Sequence, residues 1–139
     1  MSQAIKRVAI IGGNRIPFAR SNTAYFGVSN QAMLTAAIEG LVQRYNLQDV
    51  RLGDVVAGAV MKHSRDFNLT RESVLGTSLD PNTPCFDIQQ ACGTGLQAVN
   101  VVANQIALGQ IDAGIAGGVD TTSDAPIGVS EGLRKILLQ

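Results

Sequence analysis

Gln89-Gln-Ala-Cys-Gly-Thr-Gly-Leu-Gln-Ala-Val99 is the stretch that decides how this chain is read. An apolar strand, Cys85-Phe-Asp-Ile-Gln-Gln-Ala91, runs into it, and the spacing beyond predicts a helix from about Gly93 to Leu108. Cys92 sits at the turn between them. Gly93 and Gly95 remove side chains where tight curvature and strand–helix packing would otherwise clash. The arrangement parallels the nucleophile elbow of hydrolases, with sulfur in place of oxygen. Free backbone N–H groups and the positive end of a helix dipole favour an anion at such a turn. The thiolate is the reacting form of a cysteine, so Cys92 is read as a nucleophile rather than a small buried hydrophobe. Cys85 lies inside the apolar strand with no helix start beside it and is read as core packing.

Working outward, strands and helices alternate. Lys6 to Gly13 reads as a buried strand ending in glycines, and Asn14 to Asn30 as a loop around Pro17 and Gly27. Ser29 can cap a helix running to about Tyr45, with Met33, Ala36, Ala37, Gly40 and Leu41 on one face and Asn46 ending it. Gly53 to Met61 reads as a second buried strand. Asn68 to Leu79 reads as a short helix with Leu75 and Leu79 on one side, and Pro81 and Pro84 bound a loop. Leu96, Val99, Ala103, Ile106 and Ala107 form the apolar stripe of the long helix, which Gly109 stops. Asp112 to Val119 reads as a fourth strand. This order of elements, with near-continuously apolar strands, predicts an α/β layered domain: a mainly parallel sheet covered by helices on both faces. The last residues, Ser130 to Gln139, read as a helix under way with no terminating signal, so the chain is expected to be a fragment of a longer protein.

The 139 residues contain 11 Lys plus Arg against 11 Asp plus Glu, so the formal net charge is zero. Apolar residues make up 45% and charged residues 16%, which excludes a disordered chain. Zero net charge gives no reason to expect nucleic acid or an anionic membrane as a partner. Four Phe, two Tyr and no Trp supply little stacking surface for bases. No stretch approaches the roughly 20 apolar residues of a membrane span, and the start does not read as a secretory leader. Two cysteines cannot make a disulfide framework, and their spacing fits neither a redox pair nor a zinc site. A cytoplasmic location, where a free thiol persists, is expected. His63, among polar residues after the second strand, is read as a surface-loop histidine. Lys62, Arg65 and Arg71 are read as a solvated face. Gly117-Gly118 reads as close backbone packing at a strand end. No glycine-rich loop here has the spacing of a phosphate or dinucleotide site.

The elbow resembles the thiolase pattern in which Cys opens Cys-Gly-Ser-Gly-Leu-Gln-Ala, with Thr94 here in the serine position. Arg15-Ile-Pro-Phe18 is similar to the family's Arg-Thr-Pro-Phe. Ala116-Gly-Gly-Val-Asp-Thr-Thr-Ser-Asp-Ala-Pro126 is similar to its Ala-Gly-Gly-(Met/Val)-Glu-x-Met-Ser-(Asn/Asp)-x-Pro, with Asp120 for Glu and Thr122 for Met. A finer resemblance, through Gly118-Val-Asp120, Ser123 to Ile127 and Leu133 to Leu138, is to thiolases of fatty-acid oxidation, including trifunctional-enzyme β subunits.

The resemblance implies a thiolase-like layered fold, with residues 1–120 as an N-terminal α/β domain and 121–139 opening a loop-domain region. It implies acyl transfer to and from coenzyme A through a Cys92 thioester: 3-ketoacyl-CoA thiolysis, or the reverse acetyl-CoA condensation. Cys92 is the one position it assigns as catalytic. The histidine that activates the nucleophile and a second acid/base cysteine belong to the family's C-terminal half, so this chain alone is expected to be inactive. No cofactor is expected to bind tightly, coenzyme A thioesters being substrates. No residue is assigned to cofactor or metal binding. The implied partners are acyl-CoA and CoA, a dimeric or tetrameric homo-oligomer, and a partner subunit of a fatty-acid oxidation complex. Two other readings stand beside it, a ketoacyl synthase-like condensing enzyme and a non-catalytic dimerising fragment.

Overall fold

The computed structural model describes residues 5–139. Three parallel strands form the sheet: β1 (Asp54–Ala57), β2 (Cys85–Asp87) and β3 (Gly114–Ala116), in the order β2-β1-β3. Val55 is opposite Cys85 on one side and Ile115 on the other. Every residue of β1 is buried, because it has a neighbour on both edges and cover on both faces. Alternation along β1 sorts its side chains between two apolar layers. Val55 and Ala57 join Leu34, Ile38, Val42, Leu69, Val74 and Leu79 on one face, while Val56 meets Ala98 and Val102 on the other. The first layer belongs to helices α1 (Asn30–Tyr45) and α2 (Leu69–Leu75), the second to α3 (Thr94–Ala107). The expected α/β architecture, parallel and covered on both faces, is what the chain adopts.

Local chemistry sets the helix ends. Ser29 accepts a hydrogen bond from the Ala32 N–H and caps α1, and Asn46 closes it in the left-handed conformation at φ 52°. The buried face is Asn30, Met33, Leu34, Ile38 and Val42. Of the residues expected there Met33 is buried, but Ala36 is exposed. The larger aliphatic side chains release more apolar area on burial and turn the helix toward them. Gly40 faces Asn14 instead, whose Nδ2 donates to the Ala37 carbonyl at 2.9 Å. The same correction applies to α3. Its buried line is Thr94, Ala98 and Val102, and Leu96 is 71% exposed. Gly109, at φ 70°, ends that helix as expected.

Three further expectations change. The stretch 6–13 is not a strand: Ile10 and Ile11 are 81% and 84% exposed, and among the described residues its backbone is tied to the body by the Lys6 N–H to Ala107 carbonyl bond at 2.9 Å and by the Arg44 guanidinium donating to the Gly13 carbonyl. No described strand runs beside it, so it has no ladder to join. The second helix stops at Leu75, which is half exposed, and Leu79 reaches the core from a turn. The Glu39 carboxylate accepts from the Ser78 N–H and hydroxyl and holds that turn out of helix. The Ser78 N–H, with the Gln43 amide, keeps the Glu39 carboxyl below the usual carboxylate range. β2 also ends at Asp87, short of Ala91. A last helix, α4 (Glu131–Leu137), is capped by Ser130 as expected, and all of its residues are exposed.

Candidate active site

The elbow is built where the C-terminal ends of the parallel strands meet the start of α3. Beyond β2, the Ile88 N–H still bonds the Ala57 carbonyl at 2.9 Å, and the chain then turns. The strained residue is Ala91, at φ 45°, a left-handed conformation unusual for a residue with a Cβ. The Gly93 N–H bonds the Gln90 carbonyl at 2.9 Å, and the Thr94 N–H bonds the Ala91 carbonyl at 3.2 Å. Cys92 is thereby carried on the outside of the turn, exposed, one residue before the N-cap Gly93 of α3. It is unpaired, as is Cys85. Cys85 is half-buried against the α1–α2 layer, with the Arg71 Nη1 3.5 Å from its sulfur. The contrast expected between the two thiols is therefore present in their surroundings.

Glycines let the elements converge, though not all those the sequence suggested. A Cβ on Gly58, just past β1, would lie 1.8 Å from the Ile88 carbonyl oxygen. One on Gly118 would lie 3.2 Å from the Gly58 oxygen and 3.5 Å from the Gly95 nitrogen. Gly118 thus carries the close packing expected of the Gly117-Gly118 pair, whereas a Cβ on Gly117 would meet nothing within 4 Å. Gly93 and Gly95 have less need to be bare, with nearest contacts of 3.3 and 3.8 Å. No motif in the sequence marks Gly58 as the glycine closest to a neighbouring backbone.

The polar residues around the strand ends tie loops together. Asp120 accepts from the backbone N–H groups of Val60, at 3.0 Å, and Met61, at 2.7 Å. His63 is not a free surface histidine: its Nε2 lies 2.7 Å from the Asp124 carbonyl oxygen. Arg65 pairs with the Asp124 side chain, and that hydrogen bond holds the Asp124 carboxyl below the usual carboxylate range. Lys62 pairs with Asp87 at 3.2 Å, and the same Asp87 carboxylate accepts from the Leu69 and Thr70 N–H groups, capping α2 from a neighbouring strand. Arg71 donates to the Thr83 carbonyl at 2.9 Å. The expected solvated face of Lys62, Arg65 and Arg71 is thus a set of bridges, because each cation has a fixed acceptor within reach. A groove of about 860 Å³ opens nearby, lined by residues 14–21, by Met33, Leu34 and Ala37 of α1, and by 118–123. Cys92 is not among its lining residues.

The thiolase N-terminal domain model matches residues 8–138. The chain belongs to that family. The match contains all three stretches on which the likeness was read: Arg15 to Phe18, the elbow, and Ala116 to Pro126. Among curated relatives, the 3-ketoacyl-CoA thiolase of Colwellia psychrerythraea is 37% identical over 133 residues, 96% of this chain and 31% of that protein. The 3-ketoacyl-CoA thiolase of Serratia proteamaculans is 38% identical over 132 residues, 95% of this chain and 30% of that one. The crystal structure of the Bacillus anthracis acetyl-CoA acetyltransferase superposes with a TM-score of 0.87 at 24% identity, covering 94% of this chain and 33% of that one. That likeness shows the fold. This thiolase-family chain spans about a third of the length of the relatives it matches. Among its described residues no helix is long and apolar enough to cross a membrane.

Proposed function

We propose that this chain supplies the nucleophile of an acyl transfer to and from coenzyme A, and that Cys92 is that nucleophile. The observation that carries the reading is the exposed, unpaired Cys92 on a strained turn directly before α3, inside the thiolase-family match. In the thiolytic direction the Cys92 thiolate attacks the 3-keto carbon of a 3-ketoacyl-CoA. The bond between C2 and C3 breaks, its electron pair goes to C2, and C2 takes a proton from a general acid as acetyl-CoA leaves. The acyl group stays on sulfur as a thioester, and the thiolate of a second CoA attacks it and restores Cys92. Condensation of two acetyl-CoA molecules is the same path reversed. Such chemistry needs no tightly bound cofactor, since the carrier is the substrate.

The reading assigns this chain one part of the machinery. Residues 1–120 form the nucleophile-bearing domain and 121–139 open the next region, with the proton-transfer groups on further polypeptide. His63 is not assigned to this role; its Nε2 ties it to Asp124 in the loops at the strand ends. The names of the relatives, 3-ketoacyl-CoA thiolases, support a 3-ketoacyl-CoA substrate and exchange between acyl-CoA and CoA; action as a homo-oligomer in the cytoplasm is part of the same proposal. Thiolysis of acetoacetyl-CoA by the intact protein tests it. Replacing Cys92 by Ser is expected to lower kcat by about a thousandfold or more, the scale seen when a covalent nucleophile is removed. A Cys92→Ser protein that keeps wild-type turnover would overturn the assignment.

A further inference from the structure

Thr94 has a hydroxyl that neither the fold nor the reaction has yet used. Its side chain is buried, 5% exposed, at the first residue of α3. Oγ1 accepts from the Gln90 N–H at 2.9 Å and donates to the Ala91 carbonyl at 2.8 Å. One hydroxyl therefore spans the turn, fastening the two residues before Cys92 to the second residue after it. Ala91 is the residue held at φ 45°. A non-glycine residue stays in that region only where its surroundings over-determine it. Among the described residues the Thr94 hydroxyl is the one side-chain group bonded to the Ala91 carbonyl. The methyl of the same side chain has a separate task, since it packs where a Cβ on Gly58 would lie 3.1 Å away. Hydroxyl and methyl can thus be tested apart.

We propose that the Thr94 hydroxyl positions Cys92 for acylation by locking the strained Gln90–Ala91 turn. This rests on the reading of Cys92 as the nucleophile. Thr94 touches no reacting atom in the scheme and acts through the turn, as a positioning residue. A threonine hydroxyl carries both the donor and the acceptor that the turn uses, and a serine hydroxyl carries the same pair.

The test compares wild type, Thr94→Val and Thr94→Ser in the intact protein. Iodoacetamide alkylation of Cys92 is followed as a function of pH, with Cys85 as the internal control and circular dichroism to verify the fold. Acylation by acetoacetyl-CoA is followed on the same samples by mass spectrometry. Valine keeps the shape and loses the hydroxyl; serine keeps the hydroxyl and loses the methyl. Thr94→Val is expected to slow both reactions of Cys92 by about tenfold, the upper scale of one net hydrogen bond, with Cys85 unchanged. Thr94→Ser is expected to stay within about twofold of wild type, since the bonded groups are retained. A folded Thr94→Val protein whose Cys92 matches wild type at every pH would overturn the inference. So would a Thr94→Ser protein as slow as Thr94→Val, which would assign the effect to the methyl. Wild-type Cys92 that takes no acyl group, while the alkylation rates still separate as expected, would overturn the nucleophile reading instead.

Discussion

Two apolar stretches of this chain end in glycine, Val8 to Gly13 and Val55 to Gly58, and the sequence invites the same description of both. The structure separates them completely. Val55 and Val56 are wholly buried, while Ile10 and Ile11 are more than four-fifths exposed. β1 has β2 and β3 hydrogen-bonded along its two edges and a helical layer on each face. The stretch 8–11 has none of these among the described residues. Apolar composition supplies a reason to be buried, but a strand also needs backbone partners, because an unpaired N–H or C=O cannot be buried without cost. The candidate site sits on the paired stretch: Gly58 continues from β1, and both Ile88 and Thr94 pack against it.

The sharpest way to break this comparison is to add one carbon to each glycine. Gly58→Ala places a Cβ 1.8 Å from a backbone oxygen that cannot swing aside. It is expected to cost about 3 kcal/mol or more and to disrupt the elbow with it. Gly13→Ala, where a Cβ meets nothing within 4 Å, is expected to change stability by less than about 0.5 kcal/mol. Urea titration of both variants of the 139-residue chain reads the difference directly. Truncation gives the next largest contrast. Val56→Ala removes a fully buried side chain from the α3 layer and is expected to cost about 2 kcal/mol. Ile10→Ala is expected to cost less than about 0.5 kcal/mol. If Ile10→Ala proved as damaging as Val56→Ala, the stretch 8–11 would have to be buried and the comparison would fail.

A smaller effect distinguishes the loops clasped at the strand ends. The Asp124 carboxyl is depressed chiefly by the Arg65 hydrogen bond, and the Glu39 carboxyl chiefly by the Ser78 N–H. A carboxylate with a depressed folded-state pKa stabilises the fold above its ordinary pKa, and that contribution fades as pH falls through the depressed value. Thermal melts taken downward from pH 7 are therefore expected to drop below about pH 4, near the ordinary carboxylate range. Asp124→Asn should flatten that acid limb slightly, because Asp124 is only partly shielded from water. An unchanged limb would show that the clasp between Arg65 and Asp124 adds nothing in solution.

The strand–turn–helix around Cys92 was legible because three independent signals coincide there: an apolar run, small residues at the turn and a helical repeat. The caps Ser29, Asn46, Gly109 and Ser130 were legible for the same reason, since the needed chemistry is local. What could not be read was set by distant partners. Asp87 caps α2 from 17 and 18 residues away, and Asp120 reaches back about sixty residues to Val60 and Met61. The buried faces of α1 and α3 are legible only in part, at Met33 and Ile106, because helical spacing leaves adjacent stripes nearly equal. Only the opposing layer chooses between them, as Ala98 and Val102 do against Val56. The left-handed Ala91 had no signal at all, since the sequence offers no glycine there.

The most direct measurement is peptide mapping by mass spectrometry after brief exposure of the intact protein to acetoacetyl-CoA without free CoA. The account predicts an acetyl thioester on the peptide carrying Cys92, none on Cys85, and its disappearance when CoA is added. An acyl group found on Cys85, or one that persists at the same level in Cys92→Ser, would contradict it.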